Sequence, residues 1–163
     1  MFPTDIEDLA QRIITEASAR GLMVATAESC TGGLVAGALT AIAGSSAVVD
    51  RGFVTYSNEA KTALVGVPAD LINAQGAVSE AVARAMAEGA VRHSRATISV
   101  AITGIAGPGG GSADKPVGLV HFAAAGPAGL IHRERRFGDI GREAVRLESV
   151  KVALELLLDR IGA

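Results

Sequence analysis

LMVATAESCTGGLVAGALTAI, residues 22–42, decides how this chain folds. Leu22 to Thr26 is an apolar run of strand length. The Ala-rich stretch after it reads as a helix from about Thr31 to Ile42. Between them lies AESCTGG, residues 27–33. A buried strand that passes through a Gly-containing turn into a helix is the opening of an α/β unit.

The same alternation continues on both sides. Upstream, Ile6, Leu9, Ile13, Ile14 and Ala17 recur at three- and four-residue steps, the spacing of one helix face. Thr4 and Glu7 stand at capping-box spacing, and Gly21 is placed as the helix stop. Downstream, Ser45 to Tyr56 reads as a long strand and Asn58 to Val65 as a short helix carrying Lys61. Pro68 to Asn73 reads as another short helical turn. Ser79 suits an N-cap before a helix with Val82, Met86 and Ala90 on one face. Thr97 to Thr103 is a strand, and Gly104 to Pro116 is a Gly/Pro loop. Val117 to Ala125 and Leu130 to Phe137 are strands joined by the short GPAG link, residues 126–129. A final helix runs from about Arg142 to Ile161, with Val145, Val150, Leu154, Leu157 and Ile161 facing inward.

This order predicts a single domain over residues 1–163, an α/β fold built as a three-layer α/β/α sandwich. The short link between the last two strands requires an antiparallel pair, so the sheet is expected to be mixed and mostly parallel. With 49% hydrophobic and 20% charged residues the chain is not disordered. Aromatics make up only 3%, so Val, Ile, Leu and Ala must build the core.

Charge and cysteine content narrow the function. A net charge of -2, with the Arg133–Arg146 stretch interrupted by Glu134 and Glu143, argues against nucleic acid as a partner. The one cysteine excludes a disulfide framework, and the His and Cys spacing offers no metal site. The N-terminus has neither the basic start nor the apolar run of a signal peptide, and no stretch is long and apolar enough to span a bilayer. A cytoplasmic protein without membrane attachment is expected. So much apolar residue in a small domain also predicts a buried surface between copies, in a dimer or larger homo-oligomer.

Two glycine clusters mark candidate chemistry. Ser29, Cys30 and Thr31 sit between strand and helix, with Gly32 and Gly33 directly after them. Amides at a helix start can hold a phosphate, or an oxyanion beside a nucleophile. Ser29 or Thr31 would serve equally as a plain N-cap. Cys30 is a rival nucleophile, or a small buried hydrophobe. The second cluster, TGIAGPGGGS (103–112), comes after a strand as a phosphate-binding loop should. It lacks the Lys of a P-loop, and Ser112 stands where a dinucleotide fingerprint needs Gly or Ala. The next element is a strand and not a helix. This loop either binds through backbone amides alone or simply turns the chain.

AESCTGG (27–33), VVDRGFVTYSNEAK (48–61), LVGV (64–67), GAVSE (76–80), AITGIAGPGGG (101–111), KPVGLVHF (115–122) and GDIGREAVR (138–146) succeed one another along nearly the whole chain. In this order they resemble the CinA C-terminal domain family, which includes nicotinamide-mononucleotide amidohydrolases of the PncC type. Some family members carry a further N-terminal nucleotide-processing domain, whose activity is not expected from these segments. The resemblance implies hydrolysis of nicotinamide mononucleotide to nicotinate mononucleotide and ammonia, a step of pyridine-nucleotide salvage. It implies a small nucleotide as partner, with no metal and no organic cofactor. By the same resemblance Ser29 is the nucleophile and Lys61 its activating base, with Tyr56 and Thr103 as polar residues of the site. For substrate, Thr31, Gly32 and Gly33 would contribute the oxyanion amides. Gly107, Gly109, Gly110 and Arg142 would hold the phosphate.

The chemistry sets one condition. Lys61 must be neutral part of the time, so its pKa must fall toward about 7–8 from about 10.4. Burial, the helix start after Ser29 and a neighbouring Arg are the expected causes. His121 and His132 receive no role, and His93 is read as a cation at a helix end.

Overall fold

The computed structural model describes all 163 residues. Six helices and five strands succeed one another in the order α1 (Thr4–Ala19), β1 (Val24–Glu28), α2 (Leu34–Thr40), β2 (Val49–Val54), α3 (Asn58–Val65), α4 (Ala69–Gln75), α5 (Glu80–Arg92), β3 (Ile98–Gly104), β4 (Leu119–Gly126), β5 (Gly129–Arg136) and α6 (Arg142–Gly162). The strands form one sheet in the order β2-β1-β3-β4-β5. β1 pairs in parallel with β2 and β3, and β4 runs antiparallel to both of its neighbours. Only β4 opposes the others, so the sheet is mixed and mostly parallel as expected.

Strand alternation builds two cores of different character. Ile98, Val100 and Ile102 of β3 and Val120 and Phe122 of β4 share a core with α1, α2 and α6. The intervening Ala101 and Ala123 pack with α3, α4 and α5. Large residues on one face and alanines on the other let α5 lie close against the sheet, where Ser99 donates its hydroxyl to Ala87 O at 2.6 Å. Phe122 is the one aromatic among the largest fully buried side chains, so the core is aliphatic as the composition requires.

Several boundaries differ from expectation. Pro3, not Thr4, occupies the N-cap of α1, so Thr4 is already helical and no side chain caps that end. The helix after Ser29 starts only at Leu34, because Gly32 and Gly33 take φ of +57° and +104°, which helical geometry forbids. The stretch from Ser45 begins with a 3-10 turn at Ser45–Ala47, and the strand proper starts at Val49. Asn58–Val65, the Ser79 cap and the inward residues of α5 and α6 agree with the sequence reading.

The order β2-β1-β3 matters most for function. The connection from β1 to β2 leads one way along the sheet, and the chain then returns past β1 to form β3. In open α/β sheets a crevice opens at such a reversal, at the carboxyl ends of the strands. Ser29 comes directly after β1 at that point, and Thr103 and Gly104 end β3 there.

Candidate active site

A cavity of about 220 Å³ opens at this crevice, with Ser29, Tyr56, Lys61, Thr103 and Arg142 on its wall. Ser29 is set by β1, whose ladder its own amide extends by donating to Ile102 O at 2.9 Å. The end of β2 is sewn to the same point, since Thr55 N and Thr55 Oγ1 both donate to Glu28 O. The chain then turns at Ser57, whose side chain caps α3 by accepting from Ala60 N. One turn into α3, Lys61 points inward with Val65 and is only 1% exposed.

Lys61 Nζ contacts three oxygens: Ser29 Oγ at 3.2 Å, Thr55 O at 3.0 Å and Tyr56 O at 3.3 Å. None of the three is charged. Burial pushes the Lys61 ammonium below the ordinary lysine range. Smaller opposing pulls come from Cys30 and Glu59, and the first vanishes while the Cys30 thiol keeps its proton. The shift thus has the expected direction, but its main cause is burial rather than a neighbouring Arg or helix start. In the neutral amine two N–H bonds can serve the two carbonyls, leaving the lone pair facing the Ser29 hydroxyl. That is the arrangement a general base requires.

Cys30 also borders the cavity, yet it is buried and its thiol is pushed up to about 12, chiefly by desolvation. A thiol so reluctant to ionise is a poor nucleophile at neutral pH. Tyr56 exposes 60% of its surface, and its carbonyl, not its hydroxyl, holds Lys61. Its hydroxyl instead accepts from the Arg142 guanidinium at 3.2 Å, while the same guanidinium donates to Gly107 O at 2.9 Å. Arg142 thereby straps the glycine loop to the cavity mouth. Thr103 donates to Ala77 O at 2.9 Å, fixing the segment before α5 as one cavity wall. It makes no hydrogen bond with Lys61.

Of the glycines, only Gly104 lines the cavity, and the predicted Gly32, Gly33, Gly107, Gly109 and Gly110 do not. Gly107 is buried and meets the site only through the carbonyl that Arg142 holds, and Gly109 and Gly110 face solvent. Thr31, Gly32 and Gly33 follow Ser29 in the turn toward α2 and are not among the residues on the cavity wall. Gly32 N donates to Ser29 O at 3.0 Å and is spent within the turn, so it cannot also hold an oxyanion. The amides of Cys30 and Thr31 have no backbone acceptor.

The start of α2 is occupied as well. Glu28, 1% exposed, accepts from Val35 N at 2.8 Å, Ala36 N at 3.0 Å and Thr31 Oγ1 at 2.7 Å. Those amides face an internal carboxylate and not the cavity, so this helix end is closed to a substrate phosphate. Sequence reading missed Glu28, although an acidic residue just before a Gly-rich helix start is a usable signal. It also missed Asn58, which lines the cavity from the first position of α3.

No group of three or more His, Cys, Asp or Glu side chains is arranged to hold a metal ion. No helix is long and apolar enough to cross a membrane.

Several known proteins are similar to this chain over most of its length. A nicotinamide-nucleotide amidohydrolase PncC of Escherichia coli strain K12 is 49% identical over 159 residues, which is 96% of this chain and 95% of that protein. A CinA-like protein of Synechococcus strain RCC307 is 54% identical over 157 residues, and the chain spans only 38% of that relative's length. Among solved structures, a competence/damage inducible protein CihA from Agrobacterium tumefaciens superposes with a TM-score of 0.97 at 60% identity, covering 100% of this chain and 99% of that one. The family model of the CinA C-terminal domain matches residues 6–161, and the chain belongs to that family.

Proposed function

We propose that the chain hydrolyses the carboxamide of nicotinamide mononucleotide, releasing ammonia and nicotinate mononucleotide. The observation that carries this reading is the contact between Lys61 Nζ and Ser29 Oγ inside a cavity at the sheet's switch point. The E. coli relative, similar over nearly its full length, bears the name of that activity.

Neutral Lys61 takes the Ser29 hydroxyl proton as Oγ attacks the carboxamide carbon. The developing oxyanion is held by the amides of Cys30 and Thr31. The tetrahedral species collapses as the Lys61 ammonium protonates the leaving nitrogen, so ammonia departs and an ester remains on Ser29. Water, deprotonated by Lys61, attacks that ester, and the proton returns to Oγ as nicotinate mononucleotide leaves. The substrate phosphate lies at the mouth, against the exposed guanidinium of Arg142 beside the 107–110 loop.

Ammonia release measured across nicotinamide mononucleotide, nicotinamide riboside and the full dinucleotide tests this reading. Release from the mononucleotide, with the riboside much poorer, is expected. Saturable binding of the mononucleotide without any release would identify a binding module instead.

A further inference from the structure

Arg146 takes part neither in the cavity wall nor in the proposed chemical steps. It stands one helical turn after Arg142 on α6, so both project from one face of that helix. Their partners differ. Arg142 reaches the cavity mouth, whereas Arg146 reaches beneath the nucleophile turn. Its Nε donates to Cys30 O at 3.1 Å, and a terminal nitrogen approaches Thr31 O at 3.4 Å. We infer that Arg146 is a positioning residue that holds the peptide between Cys30 and Thr31 in the orientation the oxyanion requires. This role rests on the hydrolytic reading of the site.

A peptide group is planar, so its C=O and N–H turn together. The carbonyl of Cys30 and the amide N–H of Thr31 belong to one such plane. Anchoring the carbonyl on a guanidinium therefore fixes the direction of the N–H. The two residues after Thr31 make the anchor necessary. Gly32 and Gly33 both adopt left-handed backbone angles, and the peptide between Thr31 and Gly32, flanked by glycine, leaves the turn loosely constrained on that side. Without a partner for its carbonyl, the 30–31 peptide can turn its N–H away from the reacting carbon.

The opposite side of the turn is already held. Glu28 accepts the Thr31 hydroxyl and the first amides of α2, and Gly32 N donates to Ser29 O. The two carbonyls at 30 and 31 are held by Arg146. A charge-assisted bond at the Cys30 carbonyl also draws electron density from the peptide, which makes the Thr31 N–H a stronger donor. Lysine cannot substitute, because one ammonium on a flexible stem does not present the planar fork that spans two carbonyls.

The test compares wild type, Ser29→Ala, Arg146→Lys and Arg146→Gln in ammonia release from nicotinamide mononucleotide. A companion titration uses the 3-formylpyridine analogue of the mononucleotide, whose aldehyde adds to a serine hydroxyl and places an oxyanion in the same position. For both Arg146 variants, kcat per folded molecule should fall roughly ten- to a hundredfold with KM within about threefold. Affinity for the aldehyde should fall by the same factor as kcat, while affinity for the product stays unchanged. The pH of the Lys61-dependent limb should not move. Wild-type kcat in both Arg146 variants, with Ser29→Ala inactive, overturns the inference. So does a rise in KM at unchanged kcat, which would make Arg146 a substrate contact. An active Ser29→Ala protein instead overturns the hydrolytic reading on which the inference rests.

Discussion

Lys61 Nζ lies 3.2 Å from Ser29 Oγ although 32 positions separate the two residues in the chain. The amine reaches that point because α3 starts immediately after β2, and β2 lies beside β1 in the sheet. Its two other partners are main-chain carbonyls, which orient it without adding a neutralising charge. Burial holds its pKa below the ordinary value. The rate should therefore climb with pH along a limb whose midpoint lies below about 10.4. Lys61→Ala should lower kcat on the order of a thousandfold or more, and Lys61→Arg should not restore it, because a guanidinium keeps its proton. A pH–rate profile of wild type beside the two variants checks both statements.

Cys30 should be nearly dispensable. Its thiol is buried and pushed up to about 12, so very little thiolate exists at neutral pH. Cys30→Ala should keep activity within a few-fold, and iodoacetamide at neutral pH should leave the enzyme active. Rapid inactivation by alkylation, or a dead Cys30→Ala protein, would move the nucleophile to sulfur.

Glu28 holds the start of α2 from inside the protein. Glu28→Gln replaces one accepting oxygen by an NH₂ group that faces donors in either orientation, Val35 N and Thr31 Oγ1 on one side or Ala36 N on the other. The expected loss is about 2 to 4 kcal/mol of stability. For a domain of this size that lowers Tm by roughly 5 to 15 °C. Thermal unfolding followed by circular dichroism reads this directly.

Gly89 seats the helix that carries Lys61. A Cβ at that position would press against Val65 O at the end of α3, a backbone contact that no rotamer change relieves. Gly89→Ala should cost about 3 kcal/mol or more, measurable as a lower urea midpoint. It should also lower kcat in the fraction that stays folded, since α3 must move to make room.

His121, which is buried, and His132, which is half-buried, form a second polar pair, between β4 and β5. Their rings stack at 5.2 Å, and His121 Nδ1 lies 2.9 Å from His132 Nε2. Glu134 and Glu80 flank the outer ring nitrogens at 3.6 Å and 3.5 Å. Burial lowers both pKa values, and for His121 the charge of His132 adds to the effect. Between those lowered values and about 6.5 the unfolded chain binds more protons than the folded one. Stability should rise with pH through that interval and level off above it. Urea midpoints taken from mildly acidic to mildly alkaline pH should trace this curve, and His132→Gln should flatten it.

Much of this was legible from the residues. Alternating apolar strands and amphipathic helices pointed to three layers, and the GPAG link to the antiparallel end of the sheet. Ser29 and Lys61 were proposed because the segments that carry them, in their order, resemble those of the CinA C-terminal domain family. What could not be read depends on contacts between distant elements. Arg146 and the Cys30 carbonyl are 116 positions apart, and no local pattern joins them. The 107–110 loop looked like a binding loop because glycine signals backbone freedom. Glycine does not say which way the backbone faces, and Gly109 and Gly110 face solvent. The α2 start looked free to take an anion, because Glu28 reads as the last residue of a strand until its side chain is seen to fold back on the helix.

Ammonia release from nicotinamide mononucleotide by wild type and Ser29→Ala, measured side by side on folded protein, bears most directly on the central claim. Steady release by wild type and a loss on the order of a thousandfold or more in Ser29→Ala are expected. Release by Ser29→Ala at the wild-type rate would contradict serine catalysis at this site.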